Sequence, residues 1–200
     1  MNDMNDLGEH SVDLKEKSLE NLILIMLGSS RNIQISMLHL EKEVFLLWNF
    51  HPGIRDFVEF MKHYRGPFSK EIQEAVLSPF FLHECWKYSR PRKDDKWSGG
   101  FVRITPEGVK KFEKLSRRMK EDYDLRQLLY SAKMLRELYD KLSPKEFLLL
   151  IYDTYPEYSK RSEVYREIVK EKKFLSLGLL EKNLIDEKRL ASLLKSETDE

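Results

Sequence analysis

A chain of 200 residues allows one or two domains, and a hydrophobic content of 41% with 12% aromatics is enough to bury a real core. Charged residues make up 34%, yet 35 Lys and Arg against 34 Asp and Glu leave a net charge of only +1, so any basic face for a polyanion must be local. The single cysteine, Cys85, excludes an internal disulfide and fits a reducing compartment. The acidic, polar start lacks the pattern of a signal peptide, and the apolar run Leu22 to Leu27 is too short to span a bilayer, so a cytoplasmic protein with no membrane partner is expected.

Residues 1–17 are polar and are expected to form a flexible tail or a loose first helix. Leu19, Leu22, Ile23 and Met26 then recur at helical spacing, and Gly28-Ser29-Ser30 closes that helix. A second helix starts near Ser36, with Met37, Leu40, Val44 and Leu47 as its inner stripe and Phe45 and Trp48 widening it. Asn49 to Gly53 reads as a turn. Ile54, Phe57, Val58 and Met61 predict a third helix, so three helices are expected before residue 63.

Gly66-Pro67 is a turn signal. Ser69 is placed as an N-cap for a helix carrying Ile72, Ala75 and Val76, which Pro79 ends. Two aromatic-bearing stretches, Cys85 to Ser89 and Phe101 to Ile104, predict short strands joined by a long polar loop that ends in Gly99-Gly100. Thr105-Pro106 starts another helix, with Thr as cap and Pro at its first position. Helix, hairpin, helix is the core of a winged-helix domain, assigned to residues 18–120. The fold class is therefore mainly α, a winged helix with an all-helical C-terminal extension over 121–195.

The extension opens with Leu125, Leu128, Ala132, Leu135, Tyr139 and Leu142, which alternate by three and four residues. This pattern is read first as an amphipathic helix lying on the body of the protein, with a homodimer joined through the Leu125–Leu142 helix as the lesser alternative. Ser143-Pro144-Lys145-Glu146 is a capping-box start for a helix buried through Phe147, Leu148, Leu150 and Ile151 and stopped at Tyr155-Pro156. Val164, Tyr165, Ile168 and Val169 mark a further helix, and Asp186 caps a last one with Leu190, Leu193 and Leu194. The acidic residues 196–200 are expected to be a disordered tail.

Charge is unevenly spread. From Trp86 to Arg118 there are eleven basic residues against four acidic ones, a local excess of seven in a chain whose total is +1. In a winged helix this is where a duplex would lie, with the Ser69 helix in the major groove and the loop from Arg90 to Ser98 over the backbone or in the minor groove. The candidate DNA-contacting residues are Arg65, Ser69, Lys70 and Gln73 around that helix, and Lys87, Arg90, Arg92, Lys93, Lys96, Trp97 and Arg103 on the hairpin. Lysine and arginine gain there by releasing counterions from phosphates. Glu71 and Glu74 on the same helix repel phosphates, so contact of low sequence specificity is expected.

His10, His39, His51, His63 and His83 show no paired metal spacing, and Cys85 has no second thiol for a zinc clamp. Asp94-Asp95 suits turn chemistry at a loop tip. There is no phosphate-binding glycine loop and no nucleophile elbow. Neither a catalytic site nor a cofactor is expected.

The run YRGPFSKEI, followed downstream by FVRITPEG, resembles a group of prokaryotic, often archaeal, winged-helix proteins. Their pattern is a Gly-Pro-Phe-Ser turn, a helix, and a strand ending in Thr-x-x-Gly, matched here by Gly66, Pro67, Phe68, Ser69, Thr105 and Gly108. The later LSPKEFLLLIYDTYPEY resembles a helical segment that accompanies this domain. A more distant likeness is to the Panacea antitoxin domain, from which Arg65 and Ser78-Pro79-Phe80-Phe81 depart. The resemblance covers roughly residues 36–165 and implies transcriptional regulation or an antitoxin-like adaptor role. In the adaptor reading, Trp86, Tyr88 and Trp97 would form the patch for a protein partner.

Overall fold

The helix the other elements surround is α2 (Met37–Phe50), whose residues from Met37 to Leu47 are all buried. A computed structural model describes residues 3–195 of the chain, with side chains from residue 14 onward. Before α2 come α1 (Asp3–Gly28) and a short strand, β1 (Gln34–Ser36). The segment from residue 3 onward that was expected as a tail or loose helix is thus the start of α1, while residues 196–200 lie outside the described residues.

Ser36 caps α2 by accepting from the His39 N–H. The next two orphan donors, the N–H groups of Met37 and Leu38, reach the carbonyls of Gly100 and Ser98 at 2.9 Å each. The base of the hairpin loop therefore completes the first turn of the central helix.

The third helix expected from Ile54, Phe57, Val58 and Met61 does not form. Pro52–Asp56 makes a 3₁₀ turn, and Met61 begins strand β2 (Met61–His63), which pairs with β3 (Gly66–Phe68). Ile54 and Val58 are buried, but Met61 is 53% exposed, so the helical spacing was spread over a turn and a strand. The indole N–H of Trp48 donates to the Val58 carbonyl and holds this turn against α2. Gly66 sits at φ +85°, a left-handed angle that lets the β2–β3 turn close.

Helix α3 (Lys70–Leu77) follows, capped by Ser69, which accepts from the Ile72 N–H. Strands β4 (Trp86–Ser89) and β5 (Phe101–Ile104) are antiparallel, and β1 adds to β5, so the sheet order is β1-β5-β4. Register decides the faces. Ile35, Trp86, Val102 and Ile104 point into the core, while Gln34, Lys87 and Arg103 share the outer face. Helix α4 (Pro106–Met119) leaves β5 with Thr105 as cap, as the sequence predicts.

Asp122 caps α5 (Tyr123–Tyr139), which packs on α1, α2 and α4. Its stripe is spent there: Ala132 and Leu135 are buried, as is Leu142 beyond its end, and Leu128 packs against the same core. The buried part of the stripe is thus covered by the chain's own core, whereas Leu125 at its start remains 46% exposed. Ser143 and Glu146 form the capping box of α6 (Pro144–Thr154), which packs on α2. The helix expected from Val164, Tyr165, Ile168 and Val169 forms as α7 (Tyr165–Lys170), and after Glu171 comes α8 (Lys172–Glu181), not expected from the sequence. Helix α9 (Glu187–Lys195) ends the described chain, and Asp186 accepts from the Arg189 N–H at its start. One apolar core joins residues from α1 to α8, without a break at Glu121–Asp124.

Candidate nucleic-acid interface

The expected contact residues fall into three environments. The first is the hairpin. Lys87, Arg90, Arg92, Lys93, Lys96 and Arg103 are all exposed. Arg103 donates to the Gln34 side chain across the sheet, and among the described residues none of the six makes an ion pair with an acid. Lys87 stands directly opposite Arg103, a like-charge pairing that costs stability in a sheet. The one loop carboxylate that is engaged, Asp95, is turned inward: it accepts from the backbone of Trp97 and Ser98 and from the Ser98 hydroxyl. These donors hold its pKa below the usual carboxylate value.

The second environment is α3. Its outer face is open, with Lys70, Gln73, Glu74 and Leu77 exposed. Lys70 is tied to Glu74 at 3.1 Å, one turn on, so the helix offers little free positive charge. Ser69 is buried; its hydroxyl accepts from Ile72 N–H and donates to Glu71. Its role is that of a cap, not of a DNA contact. Beside α3 runs a groove of about 710 Å³ whose rim carries Glu16, Asp56, Glu59, Glu71 and Glu74 against Lys15 and Arg55. At its inner end the buried Glu20 carboxylate accepts from the backbone N–H groups of Phe80, Phe81 and Leu82.

The third environment is a cleft of about 250 Å³ between the start of α2, the β2–β3 turn, α3 and the loop base. Arg65 lies here, in the β2–β3 turn rather than on a helix, together with Gln73, Ser98 and Gly99. At the bottom are two charges that sequence reasoning missed, Glu41 and Lys42, at 6% and 1% exposure. A Glu-Lys-Glu run reads as solvated surface. It is buried because α2 is covered on all sides. Burial raises the Glu41 pKa and lowers that of Lys42, each against the pull of the other.

The aromatic residues do not form an outward patch. Trp86 is buried and donates to the Val76 carbonyl, and the Tyr88 hydroxyl donates to the Gly99 carbonyl. Trp97 is half-buried, with the Lys145 ammonium 5.0 Å from its ring centre. Lys145 is itself held by Glu167 and Glu171 at 2.7 Å each. Trp97 thus braces the loop against α6, and the three rings do not share one exposed patch.

No family model matches the chain, and neither does any curated protein. Among the described residues there is no group of three or more His, Cys, Asp or Glu that could hold a metal ion. No described helix is long and apolar enough to cross a membrane. Cys85 is buried, and its thiol is pushed up by desolvation.

Proposed function

We propose that the protein is a winged-helix DNA-binding protein that grips duplex phosphates through its β4–β5 hairpin and serves as a transcriptional regulator. The carrying observation is the set of six exposed hairpin cations without an acidic partner among the described residues. Supporting it is the order of elements. The helix α1, strand β1, helix α2, helix α3 and hairpin β4–β5 follow the order expected of a winged helix, with the 3₁₀ turn and the β2–β3 hairpin inserted before α3. Helix α3 contributes little base readout in this scheme, because Lys70 is neutralised by Glu74 and the adjoining groove is acidic. Affinity then comes from counterion release and varies little with sequence.

A labelled duplex of mixed sequence, titrated at low salt and followed by fluorescence anisotropy, tests the reading. Saturable binding that Lys93→Glu and Lys96→Glu together abolish supports it. No binding to any duplex removes it.

A second reading, an antitoxin-like or adaptor module, is favoured by the acidic groove rather than by the aromatics. Leu77 and Phe80, at 51% and 71% exposure, line that groove beneath its carboxylates and suit a basic amphipathic segment. If duplex binding fails, capture of such a peptide, lost in Phe80→Glu, is the result this reading expects.

A further inference from the structure

The cleft at Arg65 has features that phosphate gripping by the hairpin does not use. Lys42 donates to Glu41 Oε2 at 3.2 Å and to the Pro67 carbonyl at 2.8 Å, which accounts for two of its three protons. Glu41 Oε1 has no donor among the described residues. The Arg65 guanidinium lies 5.1 Å from the Tyr64 ring and makes neither a hydrogen bond nor an ion pair to any described residue. A purely structural buried ion pair is costly unless its remaining valences are filled. Here an ammonium, a carboxylate oxygen and a planar fork, all incompletely used, line one small space.

We propose that this cleft binds a small α-hydroxy or α-amino carboxylate, its carboxylate on Arg65 and Lys42 and its hydroxyl or amine donating to Glu41. Arginine's fork matches a carboxylate with two parallel bonds. Two cations against one acid leave one positive charge in excess, which the ligand's carboxylate would meet. At about 250 Å³ the solvent-open cleft lies below the usual range of ligand pockets and suits a compact metabolite. The turn that presents Arg65 is preformed. Tyr64 O accepts from Glu163 N–H and from the Ser162 hydroxyl, and Gly66, at φ +85°, runs close to Tyr152, Leu148 and Lys42. Gln73 of α3 and Ser98–Gly99 of the loop base form the opposite wall, so an occupant touches both parts of the candidate interface.

Isothermal titration calorimetry of the full chain with lactate, alanine, propionate and inorganic phosphate tests the proposal. Lactate or alanine is expected to saturate one site, with propionate about tenfold weaker because it lacks the donor to Glu41. Arg65→Ala, a half-buried turn position whose loss leaves the core untouched, should abolish the binding. Arg65→Lys should restore only part of it. Absence of saturation by both lactate and alanine overturns the proposal, as does binding unchanged in Arg65→Ala. Phosphate binding as tightly as lactate also overturns it, because the cleft would then be a plain oxyanion site such as a duplex phosphate would fill. Duplex binding measured on Arg65→Ala separates the two readings, since the hairpin cations are intact in that variant.

Discussion

Replacing Arg90, Arg92, Lys93 and Lys96 with Gln removes four of the six unpaired hairpin cations and leaves Lys87 and Arg103. If each cation neutralises one phosphate, log affinity falls against log salt with a slope of about −5.4 in the wild type and about −1.8 in the variant. Between about 50 and about 200 mM salt, the wild type then loses roughly 2,000-fold in affinity and the variant roughly tenfold. Anisotropy titrations of one duplex at four or five salt concentrations give both slopes. None of the four side chains has an acidic partner among the described residues, so thermal stability should change by less than about 0.5 kcal/mol. An unchanged slope in a variant that melts like the wild type refutes the reasoning, because the phosphates would then be held elsewhere. Equal loss at every salt concentration would also refute it, since that is how a lost shape contact behaves.

Other outcomes concern the scaffold. Glu20→Ala strands three backbone donors at Phe80, Phe81 and Leu82 and should cost about 3 kcal/mol in urea unfolding. Gly108→Ala would place a Cβ 2.1 Å from the Cys85 carbonyl oxygen, a backbone atom that cannot swing aside, and a loss of at least about 3 kcal/mol is expected. Buried Glu43, near Arg136 and Asp140, has its pKa raised to about 8, chiefly by desolvation. A raised acid binds its proton more tightly when folded, so its stability contribution is lost as pH climbs from the unfolded value toward 8. His39, lowered to about 4 by burial, works in the opposite sense, losing stability as pH falls below 6.5. The two offset each other between their shared limits, leaving a decline from about pH 6.5 to 8 that Glu43→Gln should flatten. Unfolding curves at several pH values check this, and a decline that persists in Glu43→Gln counts against the assignment.

What could be read from residues alone was local chemistry. Ser69, Thr105, Ser143 and Asp186 each cap the helix expected of them, because a hydroxyl or carboxylate ahead of an apolar run has one good use there. Strand β5 begins and ends where its pattern changes. What could not be read was tertiary. Gln34–Ser36 is too short to show alternation and is a strand only because β5 offers it an edge. Ile54 and Met61 share a helical spacing, but Ile54 lies in the 3₁₀ turn and Met61 opens strand β2. Glu41, Lys42 and Glu43 are buried since α6 and the β2–β3 hairpin on one side and α5, with Arg136 beside Glu43, on another cover the faces of α2 that a two-sided helix would show to water. The hairpin cations were legible as a charge excess. The cleft was not, since Arg65 and Glu41 meet only through the path of the turn.

The carbonyls of Ser98 and Gly100 that finish the first turn of α2 have a consequence for engineering and for divergence. Gly100, at φ +97° with Ser89 O 2.6 Å from where a Cβ would stand, fixes the chain where it rejoins the sheet. Insertions at Pro91–Lys93 should lengthen the reach of the hairpin at little expense. Shifting Ser98–Gly100 by one residue would unwind the start of the innermost helix. Grip can therefore be retuned at the tip while the root stays fixed.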